Sequence, residues 1–326
     1  LTNRAASNTT TTNNRILWMA FLGLLMTNLF WAINAILARS YMPEVAPIAM
    51  NLFRWFGVFI LLTPFCLPRV IKNWAMIRPH LSALTGLAIL SIVFYNSLLY
   101  LAANFTTVVN ITLINTLIPI ATLLMAWRVL GNRPRLMQFL GMVISILGVL
   151  LILTKGQLLH LLSLKFSQGD LLMIAAVVVW ALFTVLLKKL SLKLSSINVL
   201  YLLIMLGLPF LIVAYAIEAV FFKFYLPSFE HISLFAYLWV FPSILAYIFW
   251  TNGVLRLGAE SASLSITLMP LFGAVLAIVF LDESIFWFHI AGGVCSLLGM
   301  LFALLPANKL AVLFKFNTQA RGMSKS

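Results

Sequence analysis

IPIATLLMAWRVLGN (118–132) and MPLFGAVLAIVFLDE (269–283) are two versions of one segment, 151 residues apart. The same offset carries Pro119 onto Pro270, Gly141 onto Gly292 and Gly148 onto Gly299. At nearly the same spacing, FWAIN (30–34) returns as VWALF (179–183). Each copy contains five membrane-length apolar segments. Five crossings are an odd number, so the second copy enters the bilayer upside down. Inverted repeats of this kind are a construction plan of many secondary transporters.

Composition supports a membrane setting. The 326 residues are 63% hydrophobic and 9% charged, with a mean hydropathy of +1.09. No soluble domain can cover so much apolar surface. The net charge of +14 does not indicate a nucleic-acid partner, because the basic residues sit in short connections between apolar runs, as topology signals do. Cys66 and Cys295 lie in or at the edge of apolar runs and suggest neither a disulfide nor a metal site. No cofactor is called for.

Segments near 16–38, 47–67, 80–102, 106–127, 137–154, 170–187, 196–221, 232–255, 262–281 and 285–305 are each long enough to cross about 30 Å of hydrocarbon. They are continuously apolar, which predicts helices and not barrel strands. With the N-terminus inside, sixteen basic residues fall on the cytoplasmic side and four outside, leaving Arg54 within a span. The expected fold is all-α: a polytopic membrane protein of ten transmembrane helices, two inverted five-helix repeats, both termini cytoplasmic. Residues 1–15 form a polar tail expected to be disordered, 16–154 the first repeat, 155–169 an extracytoplasmic linker, 170–305 the second repeat and 306–326 a basic cytoplasmic tail.

Polar residues within the spans are few and fall in stripes at helical spacing. Helix 1 carries Thr27, Asn28, Trp31 and Asn34; helix 3 carries Tyr95, Asn96, Ser97 and Tyr100. Helix 4 aligns Thr112, Asn115 and Thr116 with Pro119, and helix 6 offers Trp180 and Thr184. Helix 8 offers Ser243, Tyr247, Trp250 and Thr251, and helix 9 Ser261 and Ser265. Buried polar groups are costly in lipid unless they face a cavity or a partner helix. The six stripes are therefore expected to line one central cavity, with interhelical bonding as the alternative role for each residue. Trp31, Trp180 and Tyr95 lie too deep to be interfacial belt residues.

Pro119 and Pro270 each remove a backbone donor and mark paired kinks, read as gating helices or as static bends. Gly141 with Gly148, and Gly292 with Gly299, give small helix faces for close packing within the bundle or at a homodimer contact. Arg54 is read as structural, snorkelling or bonding backbone carbonyls, with substrate contact as the other option. No Asp or Glu falls mid-membrane, which argues against proton coupling. No embedded nucleophile–base pair or metal-binding motif occurs, so a membrane enzyme is disfavoured.

LGAESASLSITLMPLFGAVLAIVFLDESIFWFHIAGGVCSLLGMLFAL (257–304) resembles the drug/metabolite transporter superfamily, in its ten-helix EamA-type branch. The likeness lies in small residues, then Pro270, then an acid closing helix 9 at Glu283, then a glycine-led helix 10. Residues 104–153 follow the same order, with Asn132 where the family often has Glu, and Arg54 in NLFRW (51–55) matches the family's helix-2 arginine. The resemblance covers about residues 16–305. It implies an exporter or exchanger of small neutral or zwitterionic metabolites, commonly amino acids, in a bacterial inner membrane, with helices 1, 3, 4, 6, 8 and 9 around the substrate path. A lipid or lipid-linked-sugar flippase and a nucleotide-sugar or phosphate-ester exchanger are the alternatives.

Overall fold

The computed structural model describes residues 2–41, 44–133, 135–154, 156–157, 167–281 and 286–304. The described residues are helical throughout, joined by short turns. In chain order the helical units are α1 (Thr2–Tyr41), α2 (Pro47–Lys72), α3 (Trp74–Phe105) and α4, made of Val108–Asn115 and Ile118–Leu130. There follow α5 (Leu136–Leu153), α6 (Gln168–Leu190), α7 (Ser196–Phe221) and α8 (Phe229–Leu257). Then come α9, made of Ala259–Leu264, a 3-10 turn at Ser265–Leu268 and Met269–Leu281, and α10 (Trp287–Leu304). Seven of these contain apolar runs long enough to cross a bilayer, and α5 and α10 contain shorter ones. Their outer faces are hydrocarbon: Phe65, Leu147 and Val213 are more than half exposed, as side chains facing lipid are.

The first helix departs from expectation. The polar stretch 1–15, expected to be disordered, continues α1 back to Thr2. Residues 2–15 contain neither Pro nor Gly, and extending an existing helix costs far less than nucleating one. Most of the 155–169 linker, Glu283 and the 306–326 tail lie outside the described residues.

The repeat is visible in the irregularities of the helices. α3 widens into a π-helical stretch at Ile89–Tyr95, and α8 does so at Trp239–Leu245. In α8 the cause is local: Pro242 has no N–H to offer Leu238, and the Leu238 carbonyl instead accepts the Ser243 hydroxyl at 2.6 Å. α4 and α9 break at matching points, a turn at Thr116–Leu117 and the 3-10 turn before Met269. Pro119 and Pro270 each sit in the first turn of the segment that follows, where a missing N–H is tolerated.

α5 and α10 pack along each other in opposite directions. A Cβ added at Gly148 would lie 2.5 Å from the Gly292 carbonyl oxygen, and one at Gly292 equally close to that of Gly148. One added at Gly299 would collide with the Gly141 carbonyl. Midway, the Ser145 hydroxyl donates to the Ser296 carbonyl at 3.1 Å and the Ser296 hydroxyl donates to that of Ser145 at 3.3 Å. These serines are themselves 151 residues apart, so a pseudo-two-fold axis passes between them. Helices meet this closely in lipid when small residues let their backbones approach.

Candidate functional site

Between the two halves lies a cage of aromatic rings and amides. The π-helical stretches of α3 and α8 build its core. Asn96, one turn after Ser91, donates to the Ser91 carbonyl at 2.7 Å and to the Tyr247 hydroxyl at 2.9 Å. Asn96 and Tyr247 are repeat equivalents, as are Trp31 and Trp180, whose rings meet edge to face at 5.2 Å. Trp180 stands at the middle of the aromatic cluster, packed on Tyr95 at 4.4 Å and on Trp250 at 5.4 Å. The Trp31 indole donates to the Pro242 carbonyl at 3.1 Å.

Arg54 occupies the centre. Its side chain is 1% exposed, so it does not snorkel. Nε donates to Ser243 Oγ at 2.5 Å, one terminal nitrogen to Asn96 Oδ1 at 3.0 Å and Tyr100 OH at 2.9 Å, and the other to the Pro242 carbonyl at 2.9 Å. Tyr100 passes the chain on, donating to Asn34 Oδ1 at 3.2 Å. All four partners of Arg54 are neutral. Burying a cation in this way costs several kcal/mol, offset only in part by neutral hydrogen bonds. Asn51, one turn earlier on α2, ties that helix to α3 by donating to the Ile92 carbonyl at 3.0 Å and Ser97 Oγ at 2.9 Å.

The open space is small, about 10 Å³, bounded by Trp31, Asn34, Arg54, Tyr95, Asn96 and Tyr247, with Leu99 and Met269. That is room for about one water. Both ends of the bundle above and below it are tied. At the end where α1 finishes, Asp170 accepts from Thr106 Oγ1 at 2.6 Å and Asn110 Nδ2 at 3.1 Å. There too, Glu218 caps the first turn of α2 by accepting from the Ile48 and Ala49 amides. His231 meets Glu44 at 3.1 Å, and burial, with the Glu44 charge second, pushes the pKa of the nearby Tyr225 hydroxyl above its ordinary value. At the opposite end Asn132 donates to Glu260 at 3.0 Å and Lys188 to the Leu255 carbonyl at 2.6 Å.

Of the residues expected to line a cavity, Trp31, Asn34, Tyr95, Asn96 and Tyr247 form the wall, while Tyr100, Trp180 and Trp250 are joined to it. Asn115 lies beside Tyr95, yet neither atom of its amide group makes a hydrogen bond of ordinary length. Asn28 bonds Ser265 at 3.0 Å, an α1–α9 contact apart from the wall. Thr184 spends its hydroxyl on the Trp180 carbonyl of its own helix at 2.8 Å. Thr112 and Thr251 are buried and are not among the wall residues. Sequence reasoning misses Ser145, Ser296 and Asn51, although Ser145 and Ser296 share the 151-residue offset that flags the prolines and glycines.

The described residues form a helical bundle with apolar outer faces and twofold-related halves, the architecture of a polytopic membrane protein. The family model described as the EamA-like transporter family matches residues 17–154 and again 167–305, and the chain belongs to that family. A relative from Archaeoglobus fulgidus, an uncharacterized transporter, is 28% identical over 281 residues, covering 85% of this chain and 94% of that one. The uncharacterized transporter YyaM of Bacillus subtilis is 27% identical over 236 residues, 70% of this chain and 75% of the relative. A solved crystal structure with 15% identity superposes with a TM-score of 0.68, covering 89% of this chain and 97% of that one, a likeness of fold alone.

Proposed function

We propose that the chain is a secondary transporter that exports small neutral or zwitterionic metabolites, amino acids among them, across a bacterial inner membrane by alternating access. In this reading the helical units are ten spans with both termini cytoplasmic, and Pro119 and Pro270 mark the gating helices, one for each side. The supporting observation is the cage itself: a small chamber with polar side chains drawn from both repeats, with hydrogen bonds joining helices at either end of the bundle. A chamber that must open alternately to two sides belongs at the interface of inverted repeats. Its amides and hydroxyls suit the polar groups of a metabolite, and its rings suit an apolar body or an ammonium.

The test is counterflow in proteoliposomes loaded with a panel of labelled amino acids. Exchange of at least one of them supports the reading. No amino-acid movement combined with lipid scrambling would replace it with a flippase.

A further inference from the structure

The cage holds a charge without a counter-ion, and it leaves indole donors unpaired as well as the amide oxygens of Asn51 and Asn115. Arg54 is a permanent cation whose four hydrogen bonds all go to neutral oxygens. Among the described residues no carboxylate reaches it; the ion pair that is present, His231 with Glu44, lies at one end of the bundle. Around it, the indole N–H groups of Trp55, Trp180 and Trp250 are buried without an acceptor. An indole nitrogen can only donate. Trp55 packs on Tyr247 at 5.0 Å, and Trp180 and Trp250 pack on Trp31, so all three belong to the cage. An ionisable residue at this depth is expensive to keep and points to a function.

The group that would complete this arrangement is an anionic acceptor. A phosphate would call for a cluster of Lys or Arg, and here there is one guanidinium. Its planar fork matches a carboxylate, while the surrounding rings match an apolar or aromatic body. We infer that the solute is recognised through a carboxylate docked on Arg54, taking the place of the neutral oxygens now bonded there, with its body among the indoles. The ammonium of an amino acid is then tolerated and the carboxylate required. The space present, about 10 Å³, means that docking accompanies parting of α1, α3 and α8.

This rests on the transporter reading of the same cage, but its test does not require transport. Intrinsic tryptophan fluorescence and thermal melting of the purified full chain in detergent would be followed during titration. The ligands are L-phenylalanine, L-leucine and L-threonine, each beside its carboxamide and its decarboxylated amine, with 3-phenylpropanoate added. At least one amino acid is expected to bind, with its carboxamide and amine at least tenfold weaker, and 3-phenylpropanoate within tenfold of L-phenylalanine where that amino acid binds. Arg54→Lys keeps the charge without the fork and is expected to lose tenfold or more for the acids. If that variant fails to fold, the analogue series on the unaltered protein still separates the outcomes. A carboxamide or amine binding as well as its acid, or no response to any carboxylate, overturns the inference. Carboxylate binding without solute movement in vesicles would remove the transporter reading and leave the dock in place.

Discussion

At Asn96 one amide serves three groups: Oδ1 accepts from Arg54, and Nδ2 donates to Tyr247 and to the Ser91 carbonyl. Asn96→Leu fills a similar volume but strands these partners, at about 1–3 kcal/mol for each buried group left unpaired. The expected outcome is a lower melting temperature in detergent and at least tenfold slower transport in proteoliposomes. Thr184→Val should leave both within error, because that hydroxyl bonds only its own helix's backbone. The two substitutions separate wall from packing, a distinction the polar stripes could not make. Helical spacing placed Trp31, Asn34, Tyr95, Asn96 and Tyr247 on inward faces. It could not tell that Arg54 points into the bundle, since a lone arginine two turns from a span end can equally well reach the headgroups. Its direction is set by Ser243 and Tyr100, which lie 189 and 46 residues away in the chain.

Among the elements, α5 and α10 approach so closely that an added Cβ meets backbone atoms of the partner helix. A side chain at Gly148 would drive into the Gly292 carbonyl, the Ser296 amide and Cys295. Gly148→Val should therefore force the two helices apart and cost several kcal/mol, as overpacking of a close contact does. It is checked by a fall in melting temperature and loss of the folded peak in size-exclusion chromatography. The broken helices α4 and α9 carry a different expectation. Pro119→Ala and Pro270→Ala each restore a backbone donor at the break and should slow exchange without lowering stability. Unchanged exchange rates in both would reduce the prolines to static bends. The repeat, the helices and these breaks were legible in sequence because Pro, Gly and apolar runs act locally. The π-helical stretch Ile89–Tyr95 was not, because it contains no proline; it packs on α6 and α7, and Asn51 of α2 and Tyr247 of α8 bond its carbonyls.

For the whole molecule, orientation and energy source are the measurable properties. With both termini inside, a single cysteine placed at Ser228 should react with a membrane-impermeant maleimide from outside intact cells, and one at Asn73 should react only after permeabilisation. The reverse pattern would invert the topology. Among the described carboxylates, Asp170 and Glu218 lie at one end, held by side-chain and backbone donors, Glu260 lies at the other, and none borders the cage. Imposing a proton gradient on proteoliposomes should therefore change accumulation less than twofold, and strong gradient-driven uptake would contradict it. The Ser145–Ser296 pair has one more consequence. A contact lying on the pseudo-two-fold axis maps onto itself when the two inverted halves are exchanged, whereas an off-axis tie such as Asp170 to Thr106 does not, its positions at the 151-residue offset being Met19 and Leu257. In the alternating-access reading proposed above, the reciprocal serine contact is shared by both arrangements, while the bond between the Ser145 and Thr267 hydroxyls at 2.6 Å would be exchanged.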